Sequence, residues 1–262
     1  MSDEMTAADK AKFVTAHRAA DFVHSGMRVG LGTGSTAAFL VRRLGQMVRD
    51  DNLQIRCVPT STRTAELARA EGMDVVTLEQ VGWLDLTIDG ADEFDDDLNL
   101  IKGGGGALLQ EKIVAMASDR MVVIADAAKH VETLGAFPLP VEVIPFGWQT
   151  TQKLIEDLLV SMDVDGRSTA LRMAGGVPFV TDEGNHILDL DLGRIGDARQ
   201  LALALNRIPG LVENGLFIDI CDQVVVGHSD GRLELRDIAK GTIIQERLDL
   251  PGADNLFTDV AD

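Results

Sequence analysis

A chain of 262 residues, 45% hydrophobic and 25% charged, has the composition of a soluble globular protein with room for one large domain or two modest ones. A formal net charge of −18 argues against nucleic acid and anionic membrane surfaces as partners. No apolar run approaches the roughly 18 residues of a membrane span. The acidic start Met1-Ser2-Asp3-Glu4 lacks the basic and apolar regions of a secretion signal, so a cytoplasmic location is expected. Cys57 and Cys221 sit in apolar runs, as buried free thiols of a reducing compartment do. The overall field would repel an anionic substrate, so local positive groups have to attract it.

Thr6-Ala-Ala-Asp9 is a capping pattern, and Phe13, Ala16, Ala20 and Val23 recur at helical spacing, which predicts a helix over 7–24 that Gly26 ends. A short strand at 27–31 runs into Gly30-Leu-Gly32-Thr33-Gly34-Ser35-Thr36 and a helix with Phe39, Leu40, Leu44 and Met47 on one face. Such a turn presents backbone amides and a helix N-terminus to an anion such as phosphate. A dinucleotide site is the rival, but it calls for an acid at the end of the second strand. The strand 53–59 ends instead in Thr60-Ser61-Thr62. A tight turn without a ligand also stays open.

A helix at 64–71 and strands at 74–78, 84–89 and 121–125 follow. The alternation predicts an α/β fold with a mostly parallel sheet, whose ligands bind beyond the carboxyl ends of strands. Gly32–Thr36, Asp89–Asp92 and Asp126–Lys129 all fall at such ends. The helix 106–118 is expected to put Leu109, Ile113 and Met116 on its core face, with Glu111 between Leu108 and Val114. The proline-rich 137–145 reads as a domain crossing. Strands near 141–144, 169–173, 178–181 and 186–191 and helices at 148–160 and 197–206 give β-α-β-β-α order, a small α+β domain with a hairpin turn at 182–185. A strand at 215–220 and a hairpin over 222–237, turned at Ser229-Asp230-Gly231, come next, and 250–262 reads as a loose tail.

Asp89 and Asp92 straddle Gly90 and can divide acid and base roles; two solvated loop acids is the plainer reading, and it is adopted for Asp95–Asp97. A Glu111 carboxylate flanked by apolar side chains has a raised pKa and suits a general base, though an exposed Glu beside Lys112 is an equal reading. Lys102 opens the run Gly103-Gly104-Gly105-Gly106, where an ammonium can hold phosphate or an oxyanion while the glycines admit a ligand. Lys129 is a second candidate phosphate ligand. No histidine cluster or regular ligand spacing supports a metal. A base, a second acid and cations together suit proton abstraction next to a carbonyl, giving an enediolate.

Gly32-Thr33-Gly34-Ser35-Thr36, Asp89-Gly90-Ala91-Asp92-Glu93, Lys102-Gly103-Gly104-Gly105, Glu111-Lys112, Ala125–Lys129 and Phe137–Pro145 resemble, in order and spacing, type A ribose-5-phosphate isomerase. The resemblance implies interconversion of ribose 5-phosphate and ribulose 5-phosphate without metal or organic cofactor. It implies that Glu111 shuttles the proton between C1 and C2, that Asp89, Asp92 and Lys102 assist ring opening and proton movement on the oxygens, and that Thr33–Thr36, Asp89–Asp92 (with Gly90 and Ala91), Lys102–Gly105 and Lys129 hold the phosphosugar. It implies a Rossmann-like domain over 1–135 plus 214–240, a smaller α+β (ferredoxin-like) domain over 136–213, a C-terminal extension over 241–262, and a homodimer or homotetramer. The run Phe146-Gly147-Trp148 and the length beyond about 240 depart from the family pattern and bear on assembly. Two rivals come from the same superfamily: a CoA transferase, for which the Asp89/Asp92 pair has no evident use, and a sugar-phosphate sensor, for which no DNA-binding segment is present.

Overall fold

The computed structural model describes residues 5–250; the proposed tail from 251 onward and residues 1–4 lie outside the described residues. Helix α1 (Ala7–Ala20) leads to β1 (Arg28–Leu31), α2 (Ser35–Asp50), β2 (Arg56–Pro59), α3 (Thr62–Ala70), β3 (Asp74–Val75), α4 (Leu78–Val81) and β4 (Leu86–Gly90). Short strands β5 (Glu93–Phe94) and β6 (Leu100–Ile101) precede α5 (Leu108–Met116), β7 (Met121–Asp126) and a 3-10 turn at Ala127–Lys129. Then come β8 (Leu139–Val143), α6 (Trp148–Leu159), β9 (Ser168–Leu171), β10 (Met173–Ala174), β11 (Val177–Pro178), β12 (His186–Asp191), α7 (Ala198–Leu205) and β13 (Leu211–Asn214). Strands β14 (Leu216–Phe217), β15 (Gln223–Gly227), β16 (Arg232–Asp237) and β17 (Thr242–Arg247) close the described chain.

The main sheet has the order β17-β16-β15-β7-β4-β1-β2-β3. Its strands from β15 to β3 are parallel, and β16 and β17 are antiparallel additions. The chain steps outward from β1 to β3, then resumes on the other side of β1 with β4. That reversal is a topological switch point, where parallel sheets leave a crevice for ligands. Alternation along β7 sends Val122 and Ile124 to the face covered by α1 and α2, and Met121, Val123 and Ala125 to the opposite face with Phe94 and Phe217. Strands buried on both faces read as continuous apolar runs, which is why 121–125 was legible.

A second sheet, β13-β8-β12-β9, is wholly antiparallel. It packs Leu139, Val141, Leu188 and Leu190 against Ile155 and Leu159 of α6 and Leu201 and Leu205 of α7. Thr6 accepts from the Asp9 amide and Asp197 from the Gln200 amide, so the helix starts follow their side-chain caps.

Three expectations need correction. First, the core face of α5 is not Leu109, Ile113 and Met116: Ile113 is 49% and Met116 60% exposed, and the buried residues are Leu108, Glu111, Val114 and Ala115. The helix turns its carboxylate inward because Lys102 waits there to pair with it. Second, the tight hairpin is at Gly175-Gly176, both at positive φ, between β10 and β11, which pair as a two-stranded sheet of their own. Residues 182–185 form a separate turn, in which the Gly184 amide donates to Thr181 O. Third, residues 242–247, placed in the extension, form a strand that extends the main sheet.

Candidate active site

Beyond β1, the chain passes so close to Asp89 that a Cβ on Gly32 would lie 2.0 Å from its carboxylate. Only glycine permits this approach. The Asp89 Oδ1 then accepts from the amides of Thr33 (3.1 Å) and Gly90 (2.7 Å). The Thr33 hydroxyl is buried against Thr60 Oγ1 (2.8 Å) and Ser61 Oγ (2.8 Å), with Thr64 Oγ1 at 3.3 Å. The hydroxyl run that ends the second strand, read from sequence only as a missing acid, braces the glycine turn. Gly34, at φ +114°, then turns the chain into α2, whose first residues Ser35 and Thr36 line the cavity. The first amides of a 16-residue helix have no partner inside that helix, and a helix start of this kind at a cavity wall favours an anion.

At the cavity floor, the Lys102 ammonium lies 3.0 Å from Asp89 Oδ2 and 3.3 Å from Glu111 Oε2, and it donates to Gly90 O. All three side chains are buried: Asp89 at 0%, Lys102 at 2% and Glu111 at 3% exposure. Neither Asp89 Oδ2 nor Glu111 Oε2 has an aligned hydrogen-bond donor among the described residues, although both are within ion-pair reach of Lys102. Two buried carboxylates therefore share one buried ammonium. Burial pushes the Glu111 carboxyl up to about 8, the neighbouring Asp89 charge adds to the rise, and Lys102 opposes it. Burial likewise raises Asp89 against the pull of Lys102. Burial alone would depress Lys102, but the Asp89 and Glu111 charges outweigh it and hold the ammonium well above its ordinary range. The two carboxyls titrate as a linked pair.

The glycine run closes one wall. Asp92 Oδ2 accepts from the Gly104 amide at 2.7 Å, and a Cβ on Gly104 would meet Asp92 Oδ1 at 2.6 Å. Gly103 and Gly106 have φ of +108° and +81°. The Lys102 amide donates to Gly215 O (2.9 Å), while Lys112 on α5 holds Glu213 Oε1 (2.8 Å) and Asn214 O (2.6 Å). The end of β13 and the Gly215 that follows it thus fix both ends of the Lys102–Glu111 stretch. Glu93, the last acid of Asp89-Gly90-Ala91-Asp92-Glu93, is structural: it accepts from the amides of Gly135 (2.8 Å) and Phe137 and ties down the crossing into β8.

The structure brings the residues singled out from sequence to one place. Thr33, Gly34, Ser35, Thr36, Gly90, Ala91, Asp92, Lys102, Gly103, Gly105, Glu111 and Lys129 line one cavity of about 490 Å³, counted with its open mouth. Asp89 lies directly beneath it against Lys102, and Gly104 backs Asp92. Lys102 differs from expectation in one respect: it is engaged by carboxylates rather than free for phosphate. Of Asp95–Asp97, Asp95 accepts from the Asn99 amide (2.8 Å) and so braces its own turn, while the Asp96 side chain, although it meets His130 (2.7 Å) and Arg236 (3.0 Å), is 76% exposed, as the solvated reading expects. Among the described residues, no three His, Cys, Asp or Glu side chains are grouped to hold a metal ion. A base at a cavity floor, an ammonium beside it and a helix N-terminus at the wall can remove a carbon-bound proton from a bound anion and stabilise the resulting oxyanion.

The sequence model of Ribose 5-phosphate isomerase A (phosphoriboisomerase A) matches residues 56–231. The chain belongs to the ribose-5-phosphate isomerase A family. It is 72% identical to the ribose-5-phosphate isomerase A of Ruegeria pomeroyi and 70% identical to that of Roseobacter denitrificans, in each case over the whole of both chains. These full-length likenesses take in the Gly32–Thr36 turn, which precedes the matched segment. Among solved structures, the isomerase A of Methanocaldococcus jannaschii matches with a TM-score of 0.79 at 36% identity, covering 92% of this chain and 99% of that one. A D-ribose-5-phosphate isomerase in complex with phospho-erythronic acid matches with a TM-score of 0.80 at 35% identity, covering 93% and 100%. Members of the isomerase A family thus share the overall fold seen here. The transferase and sensor readings are not favoured.

Proposed function

We propose that this chain is an aldose–ketose isomerase that interconverts D-ribose 5-phosphate and D-ribulose 5-phosphate through an enediolate, with Glu111 as the base that moves the proton between C1 and C2. The observation that carries this reading is the buried cluster of Glu111, Asp89 and Lys102 at the floor of a cavity whose wall is a helix N-terminus. The phosphate sits against the amides and hydroxyls of Thr33–Thr36, with Lys129 as a further positive charge. The sugar then extends toward Asp92, Lys102 and Glu111. Asp89 and Asp92 handle the oxygen-bound protons during ring opening and enediolate formation. Glu111 removes the proton from C2 of the aldose and returns it to C1. The nearby Lys102 ammonium offsets the negative charge that grows on the enediolate oxygens, and its burial strengthens that stabilisation. Phospho-erythronic acid, held by a structural relative, is expected to bind here in the same sense, with its carboxyl group at the proton-transfer end.

The Lys102 ammonium, beside both carboxylates, already supplies the positive charge that the developing oxyanion needs. We therefore expect interconversion of the two pentose phosphates to proceed at an undiminished rate after exhaustive chelation. Loss of activity that one divalent metal restores would contradict this, and no turnover of either pentose phosphate under any condition would return the chain to a binding or transfer role. A homodimer or homotetramer working in the cytoplasm, within the non-oxidative branch of the pentose phosphate pathway, is the setting we infer for this activity. No helix among the described residues is long and apolar enough to cross a membrane.

A further inference from the structure

Arg172 directly follows β9 of the small sheet, yet its side chain ends on the glycine run between β6 and α5. It stands where β9 gives way to β10, its amide donating to Ile187 O and its carbonyl accepting from the Phe179 amide, both at 2.8 Å. Its Nη1 donates to the carbonyls of Gly103 (2.8 Å) and Gly104 (3.3 Å). Its Nε and Nη2 are held by the two oxygens of Asp189, at 2.9 and 2.5 Å. Asp189 is in the interior strand β12, paired across to Pro140 on one side and Ala170 on the other. The guanidinium is thus gripped from a rigid ladder and turns its third nitrogen, Nη1, to two backbone carbonyls. Phe179, whose ring lies 5.9 Å from the guanidinium, also fills the space beside Gly106, where a Cβ would be 2.4 Å from the ring.

The Gly103–Gly104 carbonyls are not an arbitrary target. The Gly104 amide between them and the cavity donates to Asp92 Oδ2. Four consecutive glycines have no intrinsic preference for the conformation observed, so something outside the run has to fix it. A planar fork that binds a carboxylate with two donors and a carbonyl pair with a third suits this task, and a lysine ammonium does not.

We propose that Arg172 and Asp189 are positioning residues of the active site: Asp189 orients the guanidinium, the guanidinium fixes the Gly103–Gly104 backbone, and that backbone holds the Asp92 carboxylate at the cavity wall. This rests on the assignment of Asp92 to proton movement on the sugar oxygens. It makes the small sheet part of the catalytic apparatus without any of its side chains touching substrate.

The test is a double-mutant cycle of R172M and D92N, read as kcat and KM for ribose 5-phosphate. A misplacement of about 1 Å at a reacting group costs roughly 100-fold, so R172M alone should lower kcat about 10- to 100-fold with KM within about threefold. In the D92N background the same change should cost less than about threefold more, because the residue acts through Asp92. R172K carries the same cycle if R172M does not fold, and free guanidinium should restore part of the R172M rate. Full additivity of R172M and D92N, or an R172M enzyme with parental kcat, would overturn the proposal. If D92N alone turned over at the parental rate, the assignment of Asp92 would fail instead, which is a distinct result.

Discussion

Two regions of this molecule bury a carboxylate among apolar side chains, and they do different things with it. On α5, Glu111 lies beside Asp89 and the Lys102 ammonium and opens onto the cavity. On β8, Glu142 is fully buried, and its Oε1 accepts from the Thr181 hydroxyl and the Asn185 amide group, both at 2.9 Å. Burial raises the pKa of both. Glu142 is fully enclosed with neutral donors, so it serves the turn at 181–185. Glu111 has a charged neighbour of each sign and a cavity, so its proton can come and go. Burial sets the pKa; the company and the access set the role.

The largest effect that separates the two regions is expected at Lys102. Lys102→Met leaves two buried carboxyls without their cation. It should lower kcat on the order of 100- to 1,000-fold and cost roughly 3–5 kcal/mol in denaturant unfolding, less whatever the freed carboxyls recover by taking up protons. A variant with parental kcat would show that the ammonium is only a structural counter-ion.

The next largest effect is on pH dependence. The base has to be ionised to act, so kcat/KM should rise with pH up to about 8 and level off above it. Stability runs the other way. Glu111 holds its proton in the folded state at pH values where the unfolded chain has lost it, so the folded form binds more protons between about 4.5 and about 8. The contribution of Glu111 to stability therefore falls as pH rises through that window. Thermal melts of Glu111→Gln should show a gain over the parent that grows toward pH 8; a gain that shrinks with rising pH would reverse the assigned shift.

The smallest effect is expected at Glu142. Glu142→Gln keeps an acceptor for Thr181 or Asn185 and should cost about 1 kcal/mol. Its kcat should stay within about threefold of the parent, and a loss on the scale of the Lys102 variant would erase the distinction between the two regions.

Much of the site was legible from sequence because its parts are local. The Gly32–Thr36 turn, the Asp89–Asp92 pair and the Lys102 glycine run each carry their signal within a few residues, and the alternation of strands and helices places them at one edge. What escaped depends on partners far along the chain. Thr60, Ser61 and Thr64 are ordinary helix-entry residues until Thr33 arrives 27 to 31 positions away. Arg172 and Asp189 look like exposed strand residues until the glycine run meets them. Strands of two residues, such as β5, β6 and β14, have no periodicity to read. The inverted face of α5 is the most instructive miss. Leu109, Ile113 and Met116 make a good apolar stripe, and periodicity favours it, yet the helix buries a charged residue because its ion pair and its chemistry are on that side.

The most direct measurement is isomerisation by Glu111→Gln, set beside its affinity for phospho-erythronic acid. General-base catalysis contributes roughly 100- to 10,000-fold, so turnover of ribose 5-phosphate should fall by about that factor. Binding of the analogue should stay within about threefold, because an amide in place of the carboxyl preserves the shape of the cavity. Turnover within tenfold of the parent, with the variant folded and the analogue bound, would contradict the assignment of Glu111 as the base.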